Sequence, residues 1–305
     1  VALVVAALVL FAVRVQWSET WLAMRGASRG VLLVAAIVNL LSLALKGVRW
    51  WLFLRVVNAG SLWLALRGTF AGAALNNILV ANVGEPARVL LVARSSGAKS
   101  EEVFATLALE RLFEFTGYIV LLAASVSLLP LPPNLAGARP YAFVVLALVI
   151  GVLIYLVRHP ERVVAPVVVP MTLRQRLLLF WRGFLQALSR VSSGRRFTVA
   201  MLLSLVVWTL QVVTYQLTAQ AAHFDIPVVG TLAAILSVNI GFAVRATPGN
   251  VGVFQAIYAM TAVAFGLDAD AAVGVALLIQ AQQILPVTLL GVLAAPRLLL
   301  HPRGT

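Results

Sequence analysis

Glu110, Arg111 and Glu114 fall inside an otherwise apolar stretch running from Val103 to Ser127. A carboxylate or guanidinium at membrane depth is costly unless it is paired or lines a polar cavity. On a helix, Glu110 and Glu114 lie four residues apart on one face, and Arg111 precedes Glu114 by three. One arginine can therefore bridge at least one of the two carboxylates. Two readings follow. The trio is either a salt network joining helices, or a site in which Arg111 offers charge to an anionic headgroup while the glutamates set its position or exchange protons. Glu85, Arg88 and Arg245 are further charges in apolar surroundings.

The elements that must position these groups are membrane helices. Of the 305 residues 62% are hydrophobic and 11% charged, and the mean hydropathy is +1.02. A spanning helix needs roughly 20 apolar residues, and many such stretches follow one another with short polar joins. The apolar runs are continuous, which argues for helices over a barrel of alternating strands. The expected fold is all-α: a polytopic integral membrane helical bundle of about seven to eight spans, with one or two re-entrant or broken helices. Residues 1–305 read as a single membrane domain, with no room among the spans for a separate soluble catalytic domain. The opening VALVVAALVLFAV reads as the tail of a first span.

Further spans are expected at about Val31–Leu54, Val103–Leu128, Tyr141–Val157, Phe197–Ala221, Pro227–Val244, Val251–Phe265 and Ala271–Ala295. Trp50 and Trp51 suit an interfacial belt, and Lys46, Arg49 and Arg55 can reach headgroups from there. SLWLALRGTF reads as a surface-lying or connecting helix. Residues 158–196 hold eight arginines against one acid, Glu161, the strongest topology signal in the chain. That loop is expected in the cytoplasm, with an amphipathic interfacial helix at about Leu173–Val191. It would dock a cytoplasmic partner or anionic lipid.

Charge and composition exclude several classes. The net charge of +13 is carried mostly by arginine and is explained by cytoplasmic loops and lipid headgroups, not by nucleic acid. The chain has no cysteine, and His159, His223 and His301 lie far apart, so no metal-ligand spacing, cofactor or thiolate catalysis is expected.

Two stretches interrupt the apolar pattern. In residues 70–94 Asn76, Asn77, Asn82, Gly84, Glu85, Pro86 and Arg88 crowd together, and a backbone break is expected because Pro86 cannot donate and Gly84 tolerates unusual dihedrals. Residues 237–258 contain the second break, around Pro248 and Gly249. Broken helices at membrane depth persist only where they are buried in protein or line a cavity. Paired interruptions in two halves of a chain point to a binding site at a repeat interface, here compatible with an inverted repeat. Gln211, Tyr215, Gln216 and Gln220, with Gln280, Gln282 and Gln283, add a polar stripe suited to interhelical hydrogen bonds or to a hydrated interior.

NNILVANVGEPARVLLVARSSG, ERLFE and ATPGNVGVFQA together resemble the membrane domain of lysylphosphatidylglycerol synthases, over essentially the whole chain. The resemblance implies a flippase-like domain that moves a lipid between leaflets. Gly84, Glu85 and Arg88 match its first motif, Glu110 and Arg111 its second, and Pro248, Gly249 and Gly252 its third. The chain departs from the family pattern at Ala81, Asn82 and Val83, at Glu114 and at Gln255, so the resemblance implies a lipid headgroup without fixing its charge.

The expected function is a lipid transporter of the cell membrane, acting on an anionic phospholipid or a polyprenyl-phosphate-linked lipid. Arg88, Arg111 and Arg245 would hold phosphate. Asn77, Asn82 and Gln255 would contact the rest of the headgroup, near the backbone breaks at Gly84, Pro248 and Gly249. Glu85, Glu110 and Glu114 would position the cations. Two alternatives stand beside it: a membrane-embedded enzyme using Glu85 or Glu110 as acid or base on a lipid-linked substrate, and a regulatory or scaffolding protein.

Overall fold

The computed structural model describes residues 17–79, 83–129, 137, 139–158, 194–241 and 247–300. Every regular element among them is helical. In chain order they are α1 (Trp17–Arg25), α2 (Arg29–Leu54, continued by a 3-10 turn at Arg55–Val57), α3 (Leu62–Ile78), α4 (Gly84–Ser96), α5 (Ser100–Leu128), α6 (Arg139–Arg158), α7 (Gly194–Ala221), α8 (Val228–Gly241), a 3-10 turn at Pro248–Asn250, α9 (Val253–Val263) and α10 (Ala269–Leu300).

Among the described residues, four helices are long and apolar enough to cross a bilayer: Arg29–Val57, Ser100–Leu128, Arg195–Ala221 and Ala269–Ala294. Against the expected seven to eight spans with one or two re-entrant or broken helices, these four are of clear spanning length; the expected first span lies outside the described residues. The apolar helices Val228–Gly241 and Val253–Val263 are shorter, while α6 runs for 20 residues. At 1.5 Å per residue, the 14 residues of α8 reach only about 21 Å, against a hydrocarbon core of about 30 Å. The second interruption divides one apolar region into two such helices, α8 and α9.

SLWLALRGTF is not a separate surface helix. It is the first part of α3, which starts at Ser61, whose hydroxyl accepts from the Leu64 N–H, and buries Ala65, Gly68 and Thr69. The expected amphipathic helix at Leu173–Val191 and the bulk of the arginine-rich loop lie outside the described residues.

The outer surface is lipid-like in its demands. Leu33, Ile37 and Leu41 on α2, and Leu285, Leu289 and Leu293 on α10, recur every four residues and are exposed. Such apolar stripes are satisfied by hydrocarbon. Trp63 is exposed with the Arg67 guanidinium 4.8 Å above its ring, and Arg55 lies 5.1 Å over Trp51, pairings suited to the headgroup boundary.

Two buried clusters hold the bundle. One joins Trp50, Phe53 and Leu54 of α2 to Val89 and Val92 of α4 and to Leu109 and Phe113 of α5. The other gathers Trp208, Val212 and Tyr215 of α7 with Ile235 of α8, Phe254 and Tyr258 of α9, and Ile279 of α10. α2 packs along α7 and α3 along α10.

The first break is a tight crossing of α3 and α4. A Cβ added at Gly84 would overlap the Gly72 carbonyl oxygen and come within 2.8 Å of Asn76 Oδ1, so only glycine permits this approach. Asn76 Oδ1 accepts from the Gly84 N–H at 2.8 Å, which satisfies one amide at the start of α4. Pro86 falls in the first turn, where no intrahelical donor is needed, and Glu85 sits favourably at the positive end of the helix.

Candidate functional site

α5 sets the site by presenting Glu110 and Glu114 to the bundle interior one turn apart, both buried. Glu110 accepts from Arg88 Nη2 at 2.6 Å, and Arg49 Nη2 stands 3.8 Å from its other oxygen. Arg49 is wholly buried and donates from Nη1 to Ser204 Oγ at 2.8 Å. The Arg88 guanidinium lies 4.5 Å over the ring of Trp50, whose Nε1 donates to Thr106 Oγ1 at 3.0 Å. This is a buried ionic triad, two cations about one carboxylate.

One turn further, Glu114 pairs with Lys46 Nζ at 2.8 Å and with Arg111 Nη1 at 2.7 Å. Arg111 also pairs with Glu85 of α4, so it bridges two helices. Its side chain is 51% exposed, against 6% for Arg88. The difference separates their roles: Arg88 is enclosed with Glu110, while Arg111 retains an accessible face. Trp208 Nε1 donates to the Glu114 carbonyl at 2.7 Å, and Lys46 lies 5.7 Å from the same indole.

These groups wall a cavity of about 270 Å3. Lys46, Arg88, Arg111, Glu85, Glu110 and Glu114 supply its charged wall, and Asn39, Asn76, Asn77, Gln211, Gln280 and Gln283 are among its amides. The turn between α8 and α9 reaches it through Gly249 and Asn250. Gly249 adopts φ 59, and a Cβ there would stand 3.3 Å from the Asn77 carbonyl oxygen, so the two interrupted regions touch where the cavity lies.

A chain of amides fixes that turn. The Gly252 N–H donates to Gln255 Oε1 at 2.6 Å, Gln255 Nε2 donates to Gln280 Oε1, and Gln280 Nε2 donates to the Gly249 carbonyl at 2.8 Å. Both ends of the Gln255 amide are thereby used within the protein. Asn77 donates to Thr288 Oγ1 at 3.1 Å, joining α3 to α10. Gln216 donates to the Ile226 carbonyl and to Thr231, an interhelical role away from the cavity.

Of the residues selected from sequence, Asn77, Glu85, Arg88, Glu110, Arg111, Glu114 and Gly249 share the cavity wall. Gly84 supports it from the α3–α4 crossing, and Gln255 from the amide chain. Pro248 opens the turn before Gly249. Asn82 and Arg245 lie outside the described residues. Sequence reasoning missed the parts played by Lys46 and Arg49, which are drawn into the bundle and do not reach outward to headgroups. The signal was present: Asn39, Ser42, Lys46 and Arg49 recur at intervals of three and four, one helical face. Asn250 was missed too.

A second cavity, of about 300 Å3, shares Lys46, Arg111 and Glu114 with the first. The rest of its wall is mainly apolar: Phe115, Tyr118, Trp208, Leu236 and Ile240, with Asn239. A polar cavity and an apolar groove, whose Phe115 and Ile240 are exposed on the outer surface, thus meet at one charged wall. Among the described residues, no group of three or more His, Cys, Asp or Glu side chains is placed to hold a metal.

A comparison with curated proteins finds no match. The model of the family described as the lysylphosphatidylglycerol synthase TM region matches residues 1–291, nearly the full length of the sequence. That region is associated with lipid transport across the membrane, and the long apolar helices agree with a multi-pass protein of the cell membrane. With that match over nearly all of its length, this chain belongs to the lysylphosphatidylglycerol synthase TM family.

Proposed function

We propose that the protein moves a phosphate-bearing lipid between leaflets, with the headgroup in the polar cavity and the chains leaving through the apolar groove. The observation that carries this reading is the wall common to cavity and groove, formed by Lys46, Arg111 and Glu114. An amphiphile has its charge at the junction of its polar and apolar parts. Here the accessible cation, Arg111, stands at the corresponding junction of the protein.

The ion pairs suggest how the lipid is accepted. Arg111 is neutralised by Glu85 and Glu114, and Lys46 by Glu114. An entering phosphate competes with those carboxylates for Arg111 and Lys46. Exchanging one anionic partner for another avoids a bare charge at membrane depth. Glu85 lies on α4 and Glu114 on α5, so the exchange loosens a tie between helices and gives the lipid a means of biasing their arrangement. Arg88 and Glu110 hold the wall behind it. The single membrane domain would make seven to eight crossings if each interrupted pair counts as a re-entrant or broken element.

The reading is tested by native mass spectrometry of gently extracted protein. Wild type is expected to retain one class of phosphate-bearing lipid, and Arg111→Ala to lose it. Because the substitution also leaves Glu85 without its ion-pair partner, the unfolding temperature of the variant is measured alongside, so that lost retention is read in folded protein. Equal, non-selective lipid retention by both proteins would contradict the assignment and leave the charged trio as a brace between helices.

A further inference from the structure

Asn250 has buried hydrogen-bonding capacity with no use among the described residues. It is 2% exposed and borders the polar cavity, yet neither Oδ1 nor Nδ2 has a partner among the described residues. Its backbone is held, with the N–H donating to the Thr247 carbonyl at 3.0 Å. The amides beside it are engaged: Gln280 through both of its ends, Asn77 through Nδ2 to Thr288. Leaving a buried amide unmatched is unfavourable; both atoms are shut off from solvent as placed, and a turn of the side chain toward the cavity that Asn250 borders would bring them a partner.

The backbone does not by itself account for asparagine here. Asn250 has φ 59, a left-handed conformation that glycine adopts more readily and that asparagine tolerates. What asparagine adds over glycine is one acceptor and two donors. An ammonium group would satisfy Oδ1 but oppose Nδ2, and a second anionic group would satisfy Nδ2 but oppose Oδ1. A hydroxyl-bearing group both donates and accepts, and so serves both atoms.

We infer that Asn250 reads an uncharged, hydroxyl-bearing headgroup (glycerol, inositol or a sugar) carried beyond the lipid phosphate. This rests on the placement of phosphate at Arg111 in the preceding section. It makes Asn250 a determinant of specificity, separate from the charged wall. The cavity of about 270 Å3 is close to the lower end of ligand sites, roughly 300–1,000 Å3, and suits one headgroup, not a whole lipid.

The test compares lipids that share phosphate and chains but differ in hydroxyls. Purified full chain is equilibrated with phosphatidylmethanol, phosphatidylglycerol and phosphatidylinositol, and binding is read by native mass spectrometry. Wild type is expected to favour at least one hydroxyl-bearing lipid over phosphatidylmethanol by roughly tenfold, the size of one or two well-made hydrogen bonds. Asn250→Gly keeps the backbone conformation and removes the amide. It should abolish that preference, so that the hydroxyl-bearing lipids bind no better than phosphatidylmethanol. Asn250→Asp, similar in shape but charged, should weaken all three lipids. The inference is overturned if wild type shows no preference, or if Asn250→Gly retains it. Because binding is read without transport, a preference found in a protein that moves no lipid still supports this assignment and counts only against the transport reading.

Discussion

Replacing Glu110 by glutamine is expected to lower folding stability by about 3–5 kcal/mol, the range for removing one partner of a buried ion pair. The carboxylate is 2% exposed and serves two guanidiniums, Arg88 at 2.6 Å and Arg49 at 3.8 Å. Glutamine keeps the size and one acceptor but leaves both cations without a countercharge. Arg49→Met should be far less harmful, because it leaves Glu110 and Arg88 as a neutral pair, and Ser204 retains its bond to the Ala200 carbonyl. Thermal unfolding in detergent, followed by circular dichroism, ranks the two. Wild-type stability in Glu110→Gln would show that the triad is well hydrated and carries little of the fold.

Gly84→Ala is the second large effect, at about 3 kcal/mol or somewhat more, near the upper end of overpacking costs. The new methyl group would meet the Gly72 carbonyl oxygen, which is backbone and cannot rotate away, and Asn76, which caps α4. α3 and α4 must separate, and both carry cavity residues: Asn76 and Asn77 on one, Glu85 and Arg88 on the other. Loss of stability should therefore be accompanied by loss of lipid retention. Gly30→Ala is the control, since a Cβ there meets nothing within 4 Å. Similar unfolding temperatures for both variants would mean that the crossing is looser than described.

Much of this arrangement was legible in the chain. The spans at Val31–Leu54, Val103–Leu128 and Phe197–Ala221 were placed within a few residues because long apolar runs have little alternative in a bilayer. Both interruptions were legible because glycine and proline among asparagines leave backbone groups that lipid cannot satisfy. The number of full crossings was not, since hydropathy registers an apolar segment whether it spans the membrane or turns within it. The inward face of α2 was also misread. Lys46 and Arg49 lie beside Trp50 and Trp51, a pattern typical of a headgroup boundary. Only tertiary packing shows that Trp50 is buried and that both cations point to the carboxylates of α5. Asn250 was overlooked because asparagine after glycine reads as a turn residue, and its missing partners have no trace in sequence.

Lipid translocation in proteoliposomes is the most direct test. Vesicles carrying trace phosphatidylglycerol or phosphatidylinositol, labelled on the chain so that the headgroup is intact, are treated with an impermeant reductant that bleaches the outer leaflet. The assay is run with and without a pH gradient, and the lipid mass is checked afterwards for covalent change. Wild type is expected to expose inner-leaflet lipid to bleaching with its mass unaltered, while Arg111→Ala, inserted to the same extent, leaves the inner leaflet protected. Protection in both proteins under every gradient, or a lipid altered in mass, would contradict transport as the function of this cavity.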